Sequence, residues 1–562
     1  MNDVEIVLVN TGERKRVPQG TTVADVAEEY TQRMLATGVK MQWPILGALV
    51  NNKVKPLQYR IYNPKTVKLL DIRDRQGFRM YRNALQLMLY KAVHDCYPEA
   101  TLCIDHSLQN GFYCRITADG PSPLPDNMEV CRTVRERMIA LQDEDIPFVA
   151  RTMLLKDAIE LIRDRNIPRT LHILEHLRQI YIEMNFLDDV VHKINGKLAP
   201  STGCITTWDF RTYEDGYLLM CADPEHPDKL SLFSETPKLF AIFREHYRWT
   251  ELMHMPTVSE YNRIVHDGDA QRLILLAEAL HEKKYAEIAE QVHLSSAKMV
   301  LLAGPSSSGK TTSCRRLSVQ LEVLGYDVNQ LSLDDYFLGR ERTPKLPNGE
   351  YDFESIDALD IPLLNEHLLA LFRGDEVKIP TYDFIQGEPY YSGKSLKLGP
   401  RSILVVEGIH ALNPKLTAQI DEALKFKVYV SALTQLSIDD QNIIHGTDNR
   451  LVRRIVRDNN FRGWNAYETL RRWPEVVRGE RQHIFPYQEN ANVMFNSALL
   501  YELGVLKRYA EPLLKQVPED CEEYSIARQI LDFSELLEPI DDKFIPYNSI
   551  MREFLGGSTF QY

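Results

Sequence analysis

The sequence predicts a multi-domain α/β protein whose C-terminal part contains a parallel sheet flanked by helices. The 562 residues are too many for a single hydrophobic core. Short apolar strands at 299–303, 328–333, 402–406 and 426–430 alternate with helical stretches. This alternation is typical of a parallel sheet that is covered on both faces. The first of these strands leads into a glycine-rich loop, residues 304–311, which opens a helix.

Apolar patterning divides the chain into four predicted domains. They are a small β-rich domain at 1–72, an α+β domain at 77–225, a helical connector at 237–293 and the parallel-sheet domain at 299–562. In the first domain, an apolar strand precedes a helix predicted over 23–35, which Thr21 and Thr22 introduce as candidate caps. A domain of about 70 residues is small but can fold alone.

The second domain and the connector are mainly helical by pattern. Helices are predicted over 84–93, 128–141, 156–165 and 171–183, with turns at 110–111 and 200–203 that introduce strands. In the connector, apolar side chains follow the i, i+3, i+4, i+7 spacing of a helix, as in Leu273, Leu276, Ala277 and Leu280. We interpret the connector as an ordinary packed helical pair.

Composition narrows the class of partner. The net charge of −13 gives no global attraction for nucleic acid, so an RNA contact would need a local basic patch. Eight cysteines without a C-x-x-C pair indicate reduced thiols rather than a disulfide framework. No apolar run reaches the roughly 18 residues of a membrane span, and the N-terminus has no cleavable signal pattern. We therefore expect a cytoplasmic protein with no membrane partner.

The loop at 304–311 reads G-P-S-S-S-G-K-T and matches the G-x-x-x-x-G-K-[ST] pattern of a P-loop. This pattern arises by chance only about 2 times in 100 chains of this length and average composition. Glycines let successive N–H groups point at phosphate oxygens, and the helix N-terminus adds its positive dipole end. The predicted nucleotide-binding residues are Gly304, Ser306, Ser307, Ser308, Gly309, Lys310, Thr311 and Thr312. Lys310 would reach the β- and γ-phosphates of ATP, and the Thr311 hydroxyl would ligate Mg²⁺. The structural alternative is a glycine-rich turn before a helix.

Two further strands are predicted to end in carboxylates. Asp334 and Asp335 follow the strand at 328–333, and Glu407 follows the strand at 402–406. In open α/β sheets, ligands bind at this carboxyl edge of the strands. An acid there can accept a proton from an attacking hydroxyl or help to hold Mg²⁺. For either acid alone, a helix cap or a solvated loop charge would be the ordinary interpretation.

A basic helix follows in the sequence. Its arginines share a broad face at 3- and 4-residue spacing: Arg450, Arg453, Arg454 and Arg457, with Arg462 beyond them. A mobile basic lid that closes over phosphates would neutralise developing charge and exclude water. A solvated face and an RNA-binding helix are the alternatives.

Together these residues resemble the uridine kinase and phosphoribulokinase family of P-loop kinases. The resemblance covers about residues 299–513 and rests on six blocks in the family's order, GPSSSGKTT, LSLDDYF, YDFESIDALD, IPTYDF, VVEGIHAL and RLVRRIVRDNNFRG. It implies ATP and Mg²⁺ as cofactors and a small-molecule nucleoside as the acceptor.

The resemblance assigns roles to single residues. Asp334 takes the place of the catalytic base on the 5′-hydroxyl and Glu407 that of the Mg²⁺-side acid. The metal set would be Thr311, Glu407 and Asp334, and the catalytic set Asp334, Lys310 and Arg457. Arg454 matches a nucleotide-binding lid arginine. The substrate set would be Phe353, Glu354, Tyr382, Arg457 and Arg462.

Three positions depart from the uridine kinase pattern. Phe337 stands for a Tyr, Gly387 for a His and Trp464 for an Arg. The loss of groups that would read a pyrimidine edge predicts altered or relaxed base choice, because unpaired polar groups make such sites discriminating. A sugar phosphate is therefore an alternative acceptor.

The N-terminal half has a separate resemblance. Residues 1–72 resemble the β-grasp-like TGS domain of threonyl-tRNA synthetases, and residues 77–225 resemble their second, editing-type domain, with NGFY and PSTG as shared blocks. The editing groups are absent, since Asn83, Leu87, Ile194 and Leu198 occupy the positions of the HxxxH and CxxxH pairs. Leu and Ile can neither bind metal nor move a proton, so we expect no editing.

Two functional hypotheses remain open from sequence. The first is a nucleoside kinase with a regulatory or scaffolding N-terminal half. The second is an RNA- or ribosome-associated ATP-binding sensor that binds RNA or a regulatory ligand through the TGS-like domain. The acceptor-side residues favour the kinase, because a sensor needs none of them. His172 and His176, at i and i+4, are expected to be packing residues rather than metal ligands.

Overall fold

A computed structural model describes residues 3–118, 123–346, 349–383, 386–434 and 436–561. Phe384, the last residue of the IPTYDF block, lies outside the described residues, as do the terminal residues of the first and last predicted domains. Among the helices of the described ranges, none is long and apolar enough to cross a membrane.

The N-terminal 70 residues form one mixed sheet with a helix. The elements are β1 (Asp3–Leu8), β2 (Glu13–Pro18), α1 (Val23–Ala36), β3 (Gly47–Val50), β4 (Lys53–Lys55) and β5 (Lys65–Leu70). The strand order is β2-β1-β5-β3-β4, with β1 and β5 parallel. A capping box begins α1, since the Thr22 side chain accepts from the Asp25 N–H and the Asp25 side chain accepts from the Thr22 N–H. The predicted helix over 23–35 is confirmed.

The next region carries two antiparallel sheets and four helices. Its elements are α2 (Arg75–Cys96), β6 (Ala100–Leu108), β7 (Gly111–Ala118), α3 (Asn127–Glu144), β8 (Phe148–Leu154), α4 (Leu155–Asp164), α5 (Pro168–His176), β9 (Tyr181–Leu187), β10 (Val190–His192), β11 (Trp208–Tyr213) and β12 (Gly216–Cys221). The sheets have the orders β11-β12-β7-β6 and β10-β9-β8.

The single helix predicted over 171–183 is wrong. Helix α5 ends at His176, and the chain then enters β9, which pairs antiparallel with β8 along its whole length. Alternate side chains of β9, such as Ile182 and Met184, are buried. Period-2 burial against a neighbouring strand prevails here over the helical spacing of the apolar residues.

The connector contains three helices rather than a pair: α6 (Pro237–Leu252), α7 (Val258–His266) and α8 (Ala270–Ser295). Thr257 caps α7 by accepting a hydrogen bond from the Ser259 N–H. Helix α8 reaches the helix after the P-loop, where the Tyr285 and Ser313 hydroxyls lie 3.0 Å apart. The connector therefore packs directly on the C-terminal domain.

The C-terminal domain is built on a five-stranded parallel sheet. Its elements are β13 (Met299–Ala303), α9 (Lys310–Val323), β14 (Asp327–Ser332), α10 (Ile361–Arg373), β15 (Val377–Lys378), β16 (Thr381–Asp383), β17 (Glu388–Tyr390), β18 (Ser395–Leu396), β19 (Ser402–Glu407), β20 (Lys425–Ser431), α11 (Gly446–Phe461), α12 (Ala466–His483), β21 (Val493–Asn496), α13 (Glu502–Leu514), α14 (Glu523–Ser534) and α15 (Met551–Leu555).

The strand order of this sheet is β14-β19-β13-β20-β21, and all neighbours are parallel. The apolar residues of β13 alternate between two clusters, with Leu301 in one and Val300 in the other. The sheet is thus covered on both faces, as predicted. The register aligns Ser332 and Leu302 with Glu407. The ends of β14, β19 and β13 therefore meet at one edge.

Candidate functional site

The P-loop lies at this edge, between β13 and α9. A Cβ at Gly304 would stand 1.9 Å from the Val430 carbonyl oxygen, so only glycine fits beside β20. Ser307 and Gly309 adopt left-handed backbone angles, with φ of +59° and +80°. These angles turn the loop towards the N-terminus of α9, as anion binding by backbone N–H groups requires.

Two buried arginines of α11 donate hydrogen bonds to the backbone of the P-loop. An Arg450 Nη1 donates to the Ser306 carbonyl over 3.1 Å, and an Arg453 Nη1 donates to the Ser307 carbonyl over 3.4 Å. Their charges are balanced by Glu480 and Glu502, which are both buried. The prediction that Arg450 and Arg453 line a basic lid is wrong, because these side chains brace the loop backbone.

The hydroxyl groups of the three P-loop serines differ in their surroundings. The Ser307 and Ser308 hydroxyls are buried and have no hydrogen-bond partner among the described residues. The Ser306 hydroxyl accepts from Arg454 Nη1 over 2.8 Å. Nucleotide binding by these three residues stays a prediction.

Lys310 begins α9 and points into the cleft. Its Nζ donates to the Pro305 carbonyl over 3.1 Å. Burial lowers the pKa of Lys310, while the negative charges of Glu407, Asp334 and Glu553 oppose this effect. The ammonium group is therefore surrounded by the carboxylates that the strand ends provide.

Asp334 and Glu407 come together at the carboxyl edge. The Ser332 hydroxyl donates to Glu407 Oε1 over 3.3 Å and accepts from the Asp334 N–H over 3.3 Å. Burial raises the pKa of Glu407 to about 7, and the negative charge of Asp334 adds to the rise. The Asp334 side chain opens to the cleft, yet the protein around it limits its hydration and raises its pKa.

The donor set at this edge suits Mg²⁺. Two carboxylates and the Thr311 hydroxyl at the second position of α9 are hard oxygen ligands. Burial raises the pKa of Glu407, and the negative charges of Asp334 and Glu553 add to the rise, so a divalent cation here would favour the ionised carboxylate. Within the described ranges, one group of three side chains, His94, Asp95 and Asp189, is close enough to share an ion elsewhere, but the Lys91 ammonium already binds both of its carboxylates.

Three further arginines gather around one buried acid, Asp458. Arg454 and Arg457 lie 3.2 and 2.8 Å from its carboxylate oxygens, and Arg462 lies 3.7 Å away. Three positive charges against one negative charge leave this cluster cationic. Arg457 and Arg462 are also close enough to oppose the raised pKa of Asp334. The cluster is therefore placed to contact an anionic group in the cleft.

Phe337, three residues after Asp334, belongs to a cluster of aromatic rings. The Phe337 ring lies 5.8 Å from Phe353 and 5.5 Å from Tyr382, measured between centroids, and Tyr351 lies 6.0 Å from Phe353. Glu354 follows Phe353 in the chain and is close enough to Arg454 and Lys310 for their charges to act on its carboxylate. Burial raises the pKa of Glu354 to about 7, and the nearby Arg454 charge opposes the rise.

The positions of the missing editing groups are part of a hydrophobic core. Leu87, Ile194 and Leu198 are 1%, 3% and 7% exposed, and all three belong to one apolar cluster. The Asn83 side chain donates to the carbonyls of Asn195 and Lys197 over 3.4 and 3.2 Å. None of these four residues presents a metal ligand or a proton carrier to a cleft.

The two histidines His172 and His176 have ordinary local partners. His172 Nδ1 lies 2.8 Å from the Ser259 hydroxyl, and His176 Nδ1 lies 2.7 Å from the His172 carbonyl oxygen. Their rings pack 4.5 Å apart. These contacts match the expectation of packing residues.

Comparison with known proteins gives the family. The sequence pattern of the "Phosphoribulokinase / Uridine kinase family" matches residues 299–500. A uridine kinase of Deinococcus deserti is 31% identical over 178 residues, which are 32% of this chain and 76% of the relative. A uridine kinase of Staphylococcus haemolyticus is 28% identical over 202 residues, which are 36% of this chain and 88% of the relative.

The chain belongs to the phosphoribulokinase / uridine kinase family. Its C-terminal domain is therefore a P-loop kinase domain with a parallel sheet.

Other similarities are weaker. A threonine–tRNA ligase of Acetivibrio thermocellus is 26% identical over 187 residues, which are 32% of this chain but only 28% of the ligase. This match hints at synthetase-like domains, and the TGS and editing-type assignments stay predictions. A D-glycerate 3-kinase structure from Cryptococcus neoformans covers 46% of this chain and 87% of its own at 15% identity and a TM-score of 0.22. A likeness this weak supports no conclusion.

The three departures from the uridine kinase pattern have distinct surroundings. A Cβ at Gly387 would stand 2.1 Å from Nε of Arg340, so the Arg340 side chain fills the space of the missing histidine. Trp464 stacks under the Arg472 guanidinium at 4.1 Å. Phe337 is buried in the aromatic cluster. A cation therefore lies next to Gly387.

Sequence reasoning missed Arg340, Glu480, Glu502 and Glu553. Glu480 and Glu502 compensate the arginines of α11, and Glu553 contacts Thr312 at the start of α9. Each partner is at least 30 residues distant along the chain. Only the excess of arginines in one helix signalled that buried acids were needed.

Proposed function

We propose that the C-terminal domain transfers the γ-phosphoryl group of ATP to the 5′-hydroxyl of a nucleoside, giving the nucleoside monophosphate and ADP. One observation carries this proposal. Asp334 is close enough to the P-loop lysine for their charges to interact, it follows the edge where three strands of the sheet end, and the aromatic cluster of Phe337 begins three residues later. A proton acceptor, a phosphate cradle and an acceptor pocket therefore share one cleft.

Asp334 is the proposed general base. Its oxygen would accept the proton of the attacking hydroxyl as the new O–P bond forms and the bond to the ADP oxygen breaks. A base works best when its pKa lies near the operating pH, and the cleft raises the pKa of Asp334 towards that range. Lys310, Arg457 and Arg462 keep the carboxylate accessible in its ionised form.

The phosphate side depends on fixed positive charge. Lys310, Arg454 and Arg457 would contact phosphate oxygens and stabilise the charge that spreads over the transferred group. Mg²⁺, when bound at Thr311, Glu407 and Asp334, would neutralise charge on the β- and γ-phosphates. The bracing of the P-loop by Arg450 and Arg453 supports this role, because a preorganised cradle needs no rearrangement during the reaction.

The acceptor pocket supports a planar, polyhydroxylated ligand. Phe337, Phe353 and Tyr382 offer ring faces for a nucleobase. Glu354, between this pocket and Arg454, would accept hydrogen bonds from ribose hydroxyls.

A sugar phosphate is the second candidate acceptor, and Arg340 favours it. The Arg340 guanidinium lies against Gly387 and is close enough to Tyr382 for its charge to oppose the rise that burial causes in the pKa of that phenol. A guanidinium binds phosphate with planar, paired hydrogen bonds. An anionic group at the far end of the acceptor would therefore meet a cation.

An acceptor panel tests the proposal and separates the two candidates. ADP formation is measured with nucleosides, their 5′-deoxy analogues and sugar phosphates, using the wild-type protein and Lys310→Ala. The proposal expects Lys310-dependent ADP formation with a nucleoside and none with its 5′-deoxy analogue. Activity with sugar phosphates alone would replace the nucleoside by the second candidate. No acceptor-dependent turnover at all would contradict the kinase proposal.

A further inference from the structure

The C-terminal helix α15 contacts the start of the P-loop helix. Glu553 Oε2 accepts hydrogen bonds from the Thr312 N–H over 3.2 Å and from the Thr312 hydroxyl over 2.6 Å. The N-cap residue of α9, Gly309, supplies no side-chain cap of its own. A carboxylate from about 240 residues later in the chain therefore occupies the anion-binding end of this helix.

Apolar contacts seat this segment on the loop. Ile550 is fully buried, and its side chain would meet a Cβ at Gly309 at 2.9 Å. Phe554 is also fully buried, with its ring centroid 5.1 Å from the Arg453 guanidinium. The segment thus packs on the phosphate loop and on an arginine that braces it.

Two further hydrogen bonds join residues 550–561 to helices α11 and α9. Asn460 Nδ2, near the end of α11, donates to the Phe554 carbonyl over 3.0 Å. An Arg315 Nη donates to the Gln561 carbonyl over 3.4 Å. Residues 550–561 therefore follow the first turns of α9 beside the nucleotide cleft.

We infer that residues 550–561 are an internal competitor of the nucleotide, with the Glu553 carboxylate holding the position that a phosphate group must take at Thr312. This inference rests on the proposed function, which assigns Thr312 to nucleotide binding. Thr312 has one N–H and one hydroxyl proton, and both are donated to Glu553. A phosphate oxygen cannot share these donors with a carboxylate, because two negative charges at about 3 Å repel strongly.

Nucleotide binding then requires Glu553 to move away. The apparent affinity for ATP is the intrinsic affinity reduced by the fraction of molecules in which the carboxylate has left. The fraction is small because the segment is held by the Glu553 carboxylate, by buried apolar side chains and by further hydrogen bonds. Any ligand or partner that displaces residues 550–561 from α9 therefore activates the site.

A purely structural role makes the opposite prediction. If Glu553 only caps α9, its neutralisation lowers the stability of the protein and leaves nucleotide affinity unchanged or weaker. The direction of the affinity change therefore separates the two roles, even if the variant is less stable.

Calorimetric titration with Mg-ATP tests the inference on the full chain. Wild type, Glu553→Gln, Lys310→Ala and the matched control Glu290→Gln, which changes an exposed glutamate on α8, are compared. We expect Glu553→Gln to bind ATP about 10-fold more tightly than wild type, within the usual range of coupling between linked equilibria. Glu290→Gln should match wild type.

Two outcomes overturn the inference in distinguishable ways. If wild type binds ATP in a Lys310-dependent manner and Glu553→Gln binds no more tightly, the competitor inference is wrong and the proposed function stands. If neither protein binds ATP, the proposed function fails and the inference fails with it. Hydrogen exchange gives a second readout, because saturating ATP should increase exchange in residues 550–561 of wild type, and unchanged or slower exchange there contradicts displacement.

Discussion

Two regions of this chain resemble enzyme sites, and they differ in what fills them. In the kinase domain, Asp334, Glu407 and Lys310 meet in a cleft that perturbs the pKa of each. In the region that resembles an editing domain, Leu87 and Ile194 are buried in an apolar core. The first region holds charged groups at these positions at a cost in solvation, whereas the second has apolar side chains at Leu87 and Ile194.

The difference separates a cluster of charged side chains in a cleft from apolar side chains in a core. Burying charge is unfavourable, so a cluster of partly desolvated acids beside a lysine is expected where chemistry needs it. An apolar residue in place of a catalytic one adds to packing instead. The two regions should therefore respond to mutation in different quantities, activity in one and stability in the other.

The largest expected effect is on catalysis. Lys310→Ala should lower kcat/KM by about 1,000-fold, because an aligned positive charge on the transferred group is lost. The free energy of unfolding should change by only about 0.5 kcal/mol, since the substitution removes no side chain from an apolar core. Steady-state ADP formation measures the effect, with the exposed Lys229→Ala as control. A loss below tenfold would contradict the placement of Lys310 at the reacting phosphates.

In the editing-like region the effect should be on stability. Leu87→Ala should lower the free energy of unfolding by about 2–5 kcal/mol, because it leaves a cavity in a well-packed core. Kinase activity at low temperature should be retained. Denaturant unfolding compares this variant with Leu232→Ala, whose side chain is 90% exposed. Equal stabilities of the two variants would show that Leu87 is not part of a packed core.

The pH profile of the kinase sharpens the contrast. The pKa of Glu407 lies at about 7, and burial also raises the pKa of Asp334. Both acids act as carboxylates in the proposed mechanism, so protonation removes function. We expect kcat/KM to level off at alkaline pH and to fall as the pH drops through 7, about tenfold per pH unit where one acid is protonated and up to about 100-fold where both are. A profile that is flat from pH 5 to 8 would contradict the ionised roles of these acids.

The smallest expected effect concerns the acceptor. Arg340→Ala should raise the KM for an anionic acceptor about tenfold, which is typical for loss of a charged hydrogen bond, and should change the KM for a neutral nucleoside by less than about twofold. The exposed Arg471→Ala is the matched control. Equal changes for both acceptors would show that Arg340 shapes the pocket without reading charge.

Local features of the site could be predicted from the sequence. The strand Met299–Ala303 and the loop that follows it are contiguous, so their apolar run and glycine spacing carry the full signal. Asp334 and Glu407 could be placed at one edge because parallel strands share their carboxyl ends. The order of the five strands and the pairing of β21 could not, since this short strand depends on its neighbour β20.

Long-range contacts explain the remaining differences. The spacing of Arg450 and Arg453 indicates a shared helix face but not the buried acids that turn this face towards the P-loop backbone. Likewise, the space at Gly387 is defined by Arg340, 47 positions earlier, and not by the local pattern. Compensation between distant charges is a property of packing, which local periodicity does not encode.

The central claim is that Asp334 is the base of a phosphoryl-transfer site. The most direct measurement compares single-turnover formation of the phosphorylated acceptor by wild type, Asp334→Asn and the exposed control Asp520→Asn at saturating ATP and acceptor. General-base catalysis predicts a rate about 100- to 10,000-fold lower in Asp334→Asn and an unchanged rate in Asp520→Asn. Equal rates in wild type and Asp334→Asn would contradict the claim.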